Sequence, residues 1–134
     1  MTVARVQVDD VIAAADFRAA LRRFLRRSER VARQSGLTPQ RYLLLLMIKG
    51  APGGAEQSTV TELAGRLQLA QSTVTELVSR AEEAGLVERE ASQTDARVAH
   101  LRLTPEGERR LLLSFTQLET ERTQLRDAVA AFTD

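Results

Sequence analysis

Apolar positions along this chain fall into a few distinct rhythms, and each predicts a different part of the molecule. From residue 9 to 35, Phe17, Leu21, Phe24, Ser28 and Val31 alternate spacings of four and three, the seam of one long helix with a single polar break. Gly36 is placed to close that helix as a left-handed C′ residue. Thr38-Pro39 then supplies a side-chain cap and a proline whose φ is already helical. The next helix, 39–49, runs from Tyr42 to Ile48 without a polar residue, so it belongs at the centre of the domain.

Residues 50–57 are rich in Gly and Pro but too short to separate two domains. Thr59 and Glu62 form a T-x-x-E capping box for a helix starting near Val60, with Val60, Leu63, Ala64 and Leu67 facing inward. Ser-Thr-Val-Thr-Glu-Leu at 58–63 recurs at 72–77, an offset too short for a repeated structural unit. The second copy lies inside a helix that begins near Ala70 or Gln71 and buries Val74, Leu77, Val78 and Ala81. After Gly85 the period becomes two. Val87–Ala91 and Val98–Leu103 read as strands joined by a polar loop, 92–97. Thr104-Pro105-Glu106 opens a last helix running to about Phe132. Its Leu111, Phe115, Leu118, Arg122, Leu125, Val129 and Phe132 make a coiled-coil-like seam of about three heptads.

Two short helices, a Gly-Leu-Val step, a charged hairpin and a capped helix are the parts of a winged helix-turn-helix, in that order. The predicted fold is mainly α with a small β-hairpin wing, a single domain over 1–134. Residues 38–103 form the lobe, and 9–35 and 104–133 are long helices whose seams look too extended for one protomer's core. The length suits one domain. No run of ~18 apolar residues is present to span a membrane. No basic stretch followed by an apolar core marks a leader, and cysteine is absent. A cytoplasmic protein without disulfides or thiolate sites is expected.

Catalysis has little to work with. His100 is the sole histidine and reads as an ordinary hairpin residue; Gly50, Gly53 and Gly54 lack the Lys-Ser/Thr of a phosphate loop. Glu82 and Glu83 are neighbours on a helix and point to different faces. No catalytic residues, metal site or cofactor are expected. Duplex DNA suits the residues better. With Val74, Leu77, Val78 and Ala81 buried, the outer face shows Gln71, Ser72, Thr73, Glu76 and Arg80. Hydroxyls at a helix start suit phosphate oxygens, Gln71 can pair with adenine, and Glu76 can accept from cytosine N4. Arg80 can reach a phosphate, and Arg97 at the hairpin tip can enter a narrow minor groove.

Charge tempers that reading. The net charge is only +1, bland for a nucleic-acid binder. Residues 9–35 carry seven Arg against four acids, among them a stripe of Arg18, Arg22, Arg26, Arg30 and Arg33, whereas 58–86 carry two Arg against four Glu. An acidic reading lobe implies a weak non-specific grip. A winged-helix dimer serving protein–protein contact without DNA is therefore the alternative.

These residues resemble the MarR family (multiple antibiotic resistance-type regulators). The likeness rests on Gly36-Leu-Thr-Pro before the second helix, Thr-Val-Thr-Glu-Leu-Ala in the third and Ser-Thr-Val-Thr in the fourth. It continues in Gly85-Leu-Val and in Asp95-x-Arg97 followed by Leu103-Thr104. It implies a homodimer with intertwined terminal helices, joined here through Phe17, Leu21, Phe24, Leu111, Phe115, Leu118, Leu125 and Phe132. It further implies repression at pseudo-palindromic duplex operators. Gln71, Ser72, Thr73, Thr75, Glu76 and Arg80 would read the major groove, Arg97 would probe the minor groove, and Asp95 would brace the wing. Release by a small amphipathic anion is also implied, with Arg41, Tyr42 and Phe24 as candidate pocket residues. Three departures stand out: Ala70 replaces a common Ser cap, Glu76 replaces a common basic residue, and the last helix is short.

Overall fold

In a computed structural model, residues 5–133 are described. Helix α1 spans Val8–Gln34, α2 Pro39–Lys49, α3 Val60–Leu67 and α4 Gln71–Glu83; strands β1, Val87–Ala91, and β2, Ala99–Leu103, follow, then α5, Pro105–Gln117, and α6, Glu119–Thr133. A single 3-10 turn, Pro52–Gly54, interrupts the loop after α2. The five expected helices and the one hairpin are present, the last helix being divided into α5 and α6.

The local signals act as the chemistry requires. Thr38, Thr59 and Thr104 each cap the helix that follows by accepting an amide of its first turn, and Thr59 and Glu62 complete the reciprocal box. Gly36 and Gly85 sit at φ 76° and 73°. There they let Leu37 N–H reach Ala32 O and Leu86 N–H reach Ala81 O, both at 2.9 Å. Each turn throws the following leucine into the core. Gln68 adopts the same left-handed conformation, φ 57°, without being glycine, and its side chain donates to Gly65 O at 2.6 Å.

Strands β1 and β2 pair antiparallel, Val87 opposite Leu103 and Ala91 opposite Ala99. Val98 lies outside the strand: its N–H closes a turn onto Asp95 O. Ser58 bridges to Leu101 and fastens the α3 approach to the hairpin. One core joins lobe and flanks, built from Val31, Leu44, Leu45, Ile48, Leu63, Val74, Val78, Leu86, Leu101, Leu111 and Leu118.

The C-terminal segment corrects the sequence reading. The single last helix breaks at Leu118, which is 1% exposed and holds φ −100°, ψ 10°. The seam's one charged residue explains why the break is tolerated. Arg122 donates to the carbonyl of Phe115 at the end of α5, which also accepts from Leu118 N–H, and its guanidinium lies 3.6 Å from the centroid of the Phe115 ring. Beyond the break α6 runs back along α1. Phe132 stacks on Phe17 with centroids 5.1 Å apart, and Arg27 Nε meets Glu121 Oε1 at 3.3 Å. The two apolar seams thus meet within one chain, and Leu111 and Leu118 belong to the protomer's own core. Phe17, Leu21, Phe24 and Leu125 are half-buried by the chain itself, while Phe115 and Phe132 stay exposed.

Candidate nucleic-acid interface

Helix α4 buries Val74, Val78 and Ala81 against the lobe core and leaves Gln71, Ser72, Thr73, Thr75, Glu76 and Arg80 exposed. Its N-cap is Ala70, which offers no side-chain acceptor. Several of these side chains already have partners. Gln71 Nε2 donates to Thr61 Oγ1 on α3 at 3.3 Å, and Thr75 Oγ1 donates to Gln71 O at 2.9 Å. Arg80 Nη2 lies 2.6 Å from Glu76 Oε1.

At the hairpin tip the loop is knit by its own polar groups. Ser92 Oγ accepts from the amides of Thr94 and Asp95. Asp95 Oδ1 accepts from Arg97 N at 3.0 Å and from its Nε at 3.3 Å. The Asp95 carboxylate thus fixes the root of Arg97, while the Arg97 side chain is 91% exposed.

Two further arginines belong to this surface and were missed from the sequence. Arg89 pairs with Glu82 at 2.7 Å, tying β1 to α4, and Arg102 pairs with Glu90 at 2.9 Å across the hairpin. In the hairpin register Arg102 faces Glu88 and Glu90 faces His100, so the Arg102–Glu90 pair is a diagonal one. Neither pair is readable before the fold sets the register and the lean of β1 on α4. All four arginines of the α4–wing unit therefore stand beside carboxylates. Arg66 on α3 is spent elsewhere, donating to Met47 O and Gly50 O at the end of α2. Six arginines of α1, namely Arg18, Arg22, Arg23, Arg26, Arg30 and Arg33, are exposed and make no ion pair among the described residues. The unpaired positive charge of the described residues thus sits chiefly on α1, not on the reading face.

Behind this face, Lys49 Nζ joins Glu56 at 2.6 Å and Glu108 at 2.5 Å, clamping α2 to α5. These contacts raise the Lys49 pKa through its bond to Glu108 first. Glu62 is held below the usual carboxylate range, chiefly by the Thr59 backbone amide. His100 is half-buried on β2 near it, with Nδ1 buried and unbonded.

Of the candidate pocket residues, Tyr42 is 4% exposed. Burial pushes its phenol up, against the opposing pull of Arg122 and Ser28. It lines a small apolar cavity with Leu25, Ser28, Glu29, Pro39 and Leu43; neither Arg41 nor Phe24 lines it. Among the described residues no cluster of His and carboxylates could hold a metal ion, and no helix is long and apolar enough to cross a membrane.

The MarR family model matches residues 35–98 of this chain. Several solved structures share the fold. Mutant MarR from E. coli complexed with operator DNA is 20% identical with a TM-score of 0.70, over 87% of this chain and 84% of that one. AbsC, a MarR family transcriptional regulator from Streptomyces coelicolor, is 20% identical with a TM-score of 0.65, over 94% and 82%. FabT from Streptococcus pneumoniae in complex with DNA is 25% identical with a TM-score of 0.60, over 68% and 61%. No curated protein matches the sequence.

Proposed function

We propose that this chain, whose residues 35–98 match the MarR family model, is a sequence-specific regulator of transcription that binds duplex DNA and is not an enzyme. The carrying observation is the exposed polar ridge of α4 standing opposite Val74 and Val78, flanked by the braced, almost fully exposed Arg97. Two relatives of the same fold are complexes with DNA.

In this reading the regulator is a homodimer and a repressor of pseudo-palindromic operators. What supports the dimer is the apolar surface left on the flanking helices: Val8, Val11, Ile12, Leu112, Leu113 and Phe115 are all more than a third exposed. A second copy sets two reading helices about 34 Å apart, one turn of the duplex. Release by a small ligand is supported by the apolar cavity at Tyr42, whose walls come from α1 and the start of α2. The carboxylates beside every arginine of the reading face favour the alternative, a winged-helix module for protein contact.

Selection of duplexes from a random pool, wild type beside Arg97→Ala, decides between them. An inverted repeat with one-turn half-site spacing, recovered more weakly by the variant, is the result expected. A folded wild type that enriches no sequence overturns DNA reading in favour of protein contact.

A further inference from the structure

Resting on the DNA-reading function, we propose that Glu76 is the specificity-determining residue of α4: it selects a cytosine in each half-site and rejects duplexes that lack one there. The argument begins with position. At 100° per residue, Glu76 lies about 160° around the helix from both Val74 and Val78, which are fully buried. It stands on the outward face of α4, the face that meets the bases when the helix lies in a major groove.

Elimination narrows the choice. The Gln71 amide is turned toward Thr61, and the Thr75 hydroxyl is committed to its own helix. Ser72 and Thr73 carry hydroxyls that serve as donor or acceptor to any base and discriminate little. Arg80 is drawn alongside Glu76 through Oε1 at 2.6 Å. Among the described residues nothing donates to Glu76 Oε2, so one carboxylate oxygen is left facing outward.

The chemistry of the groove then selects the base. A carboxylate accepts hydrogen bonds and donates none. Guanine offers it N7 and O6, and thymine offers O4, all acceptors that repel it. Adenine offers an amine beside the N7 acceptor. Cytosine alone presents an N4 amine with no acceptor at its side. Without that amine, Glu76 enters a field of phosphate and acceptor charge unpaired, a penalty that works against every wrong site. The carboxylate thereby turns a reading face with little spare positive charge into a selective one.

The test is duplex selection from a random pool with wild type, Glu76→Gln and Glu76→Ala, each checked for folding by circular dichroism. Wild type is expected to enrich a cytosine at one position per half-site, with a preference on the order of tenfold to a hundredfold. Glutamine pairs with adenine through N6 and N7, so Glu76→Gln moves the preference at that position from cytosine to adenine. Glu76→Ala loses the preference there and binds random duplex more tightly than wild type. Operators with the same base at that position for all three proteins overturn the role of Glu76 and leave DNA reading standing. No enrichment by a folded wild type overturns DNA reading itself, and this assignment with it.

Discussion

Replacing Gly107 and Gly65 by alanine is one chemical change made at two places, and the fold sets opposite signs for it. Gly107 is the third residue of α5, where the helix docks on the exit of α4. Thr104 N–H donates to Leu86 O at 3.0 Å, its hydroxyl donates to Gly85 O at 2.6 Å, and Gly107 N–H donates to that hydroxyl at 3.1 Å. A methyl at 107 would stand 2.1 Å from Leu86 O and 3.0 Å from its carbonyl carbon. Both are backbone atoms of a buried residue, so no rotamer change relieves the overlap. Overpacking of this kind costs about 1–3 kcal/mol, and retreat of α5 weakens the Thr104 bonds at about 1 kcal/mol each. Against this stands the helical advantage of alanine over glycine, about 0.5–1 kcal/mol. A net loss of about 2–3 kcal/mol follows. Gly65, on the exposed face of α3, has nothing within 4 Å of the same methyl, so only the gain of about 0.5–1 kcal/mol remains. At about 2.1 cal/mol/K of unfolding entropy per residue, Gly107→Ala melts roughly 7–10 °C lower and Gly65→Ala roughly 2–3 °C higher. Circular dichroism melts at one fixed protein concentration read both, since assembly would otherwise shift the midpoint. A Gly107→Ala protein melting at or above wild type would refute the reasoning.

Three other outcomes follow from the same structure. Ala70→Ser supplies the side-chain acceptor that α4 lacks at its N-cap, and urea unfolding should show a gain of about 1 kcal/mol. Glu106 is held at about 2, below its ordinary 4.5, first by Arg109 and then by Arg110. Its folded value is the lower one, so its stabilisation is present above about 4.5 and is lost as pH falls toward 2. Glu106→Gln should flatten the acid limb of the stability curve across that window, with little change at pH 7 in the slope. Operator affinity should fall only shallowly with salt, a slope equivalent to roughly four to six phosphates, because Arg80, Arg89, Arg97 and Arg102 already face carboxylates. A measured slope near ten phosphates would contradict this account of the reading face.

Most of the lobe was legible because its instructions are local. Thr38-Pro39, the Thr59–Glu62 box, Gly36, Gly85 and Thr104-Pro105 each act within four residues, and each does in the fold what its chemistry predicts. The exposed face of α4 was legible for the same reason, through the spacing of Val74, Val78 and Ala81. The break at Leu118 was not. No glycine or proline marks it, and its stability comes from Arg122 covering Phe115, a contact that exists only once the chain has turned. Periodicity also shows which face of a helix is apolar but not what lies against it. A second subunit was therefore expected for the seams of α1 and the last helix, whereas α6 supplies part of that cover itself. The pairing of Arg89 with Glu82 was illegible too, since it depends on how the hairpin leans on α4.

The return of α6 along α1 bears on the order in which the chain folds. Phe17 and Phe132 are stacked yet lie at opposite ends of the sequence, and closing a flexible loop of roughly 115 residues costs on the order of 4 kcal/mol in chain entropy. The contacts inside the lobe, from α2 through β2, span far fewer residues and meet a smaller cost. Once the lobe has formed, it serves as a rigid spacer and the remaining search is short. The winged lobe is thus expected to fold first, with α6 closing last and opening first. In native-state hydrogen exchange the amides of α6 should lose protection well before those of α2, whose Leu44, Leu45 and Ile48 are fully enclosed.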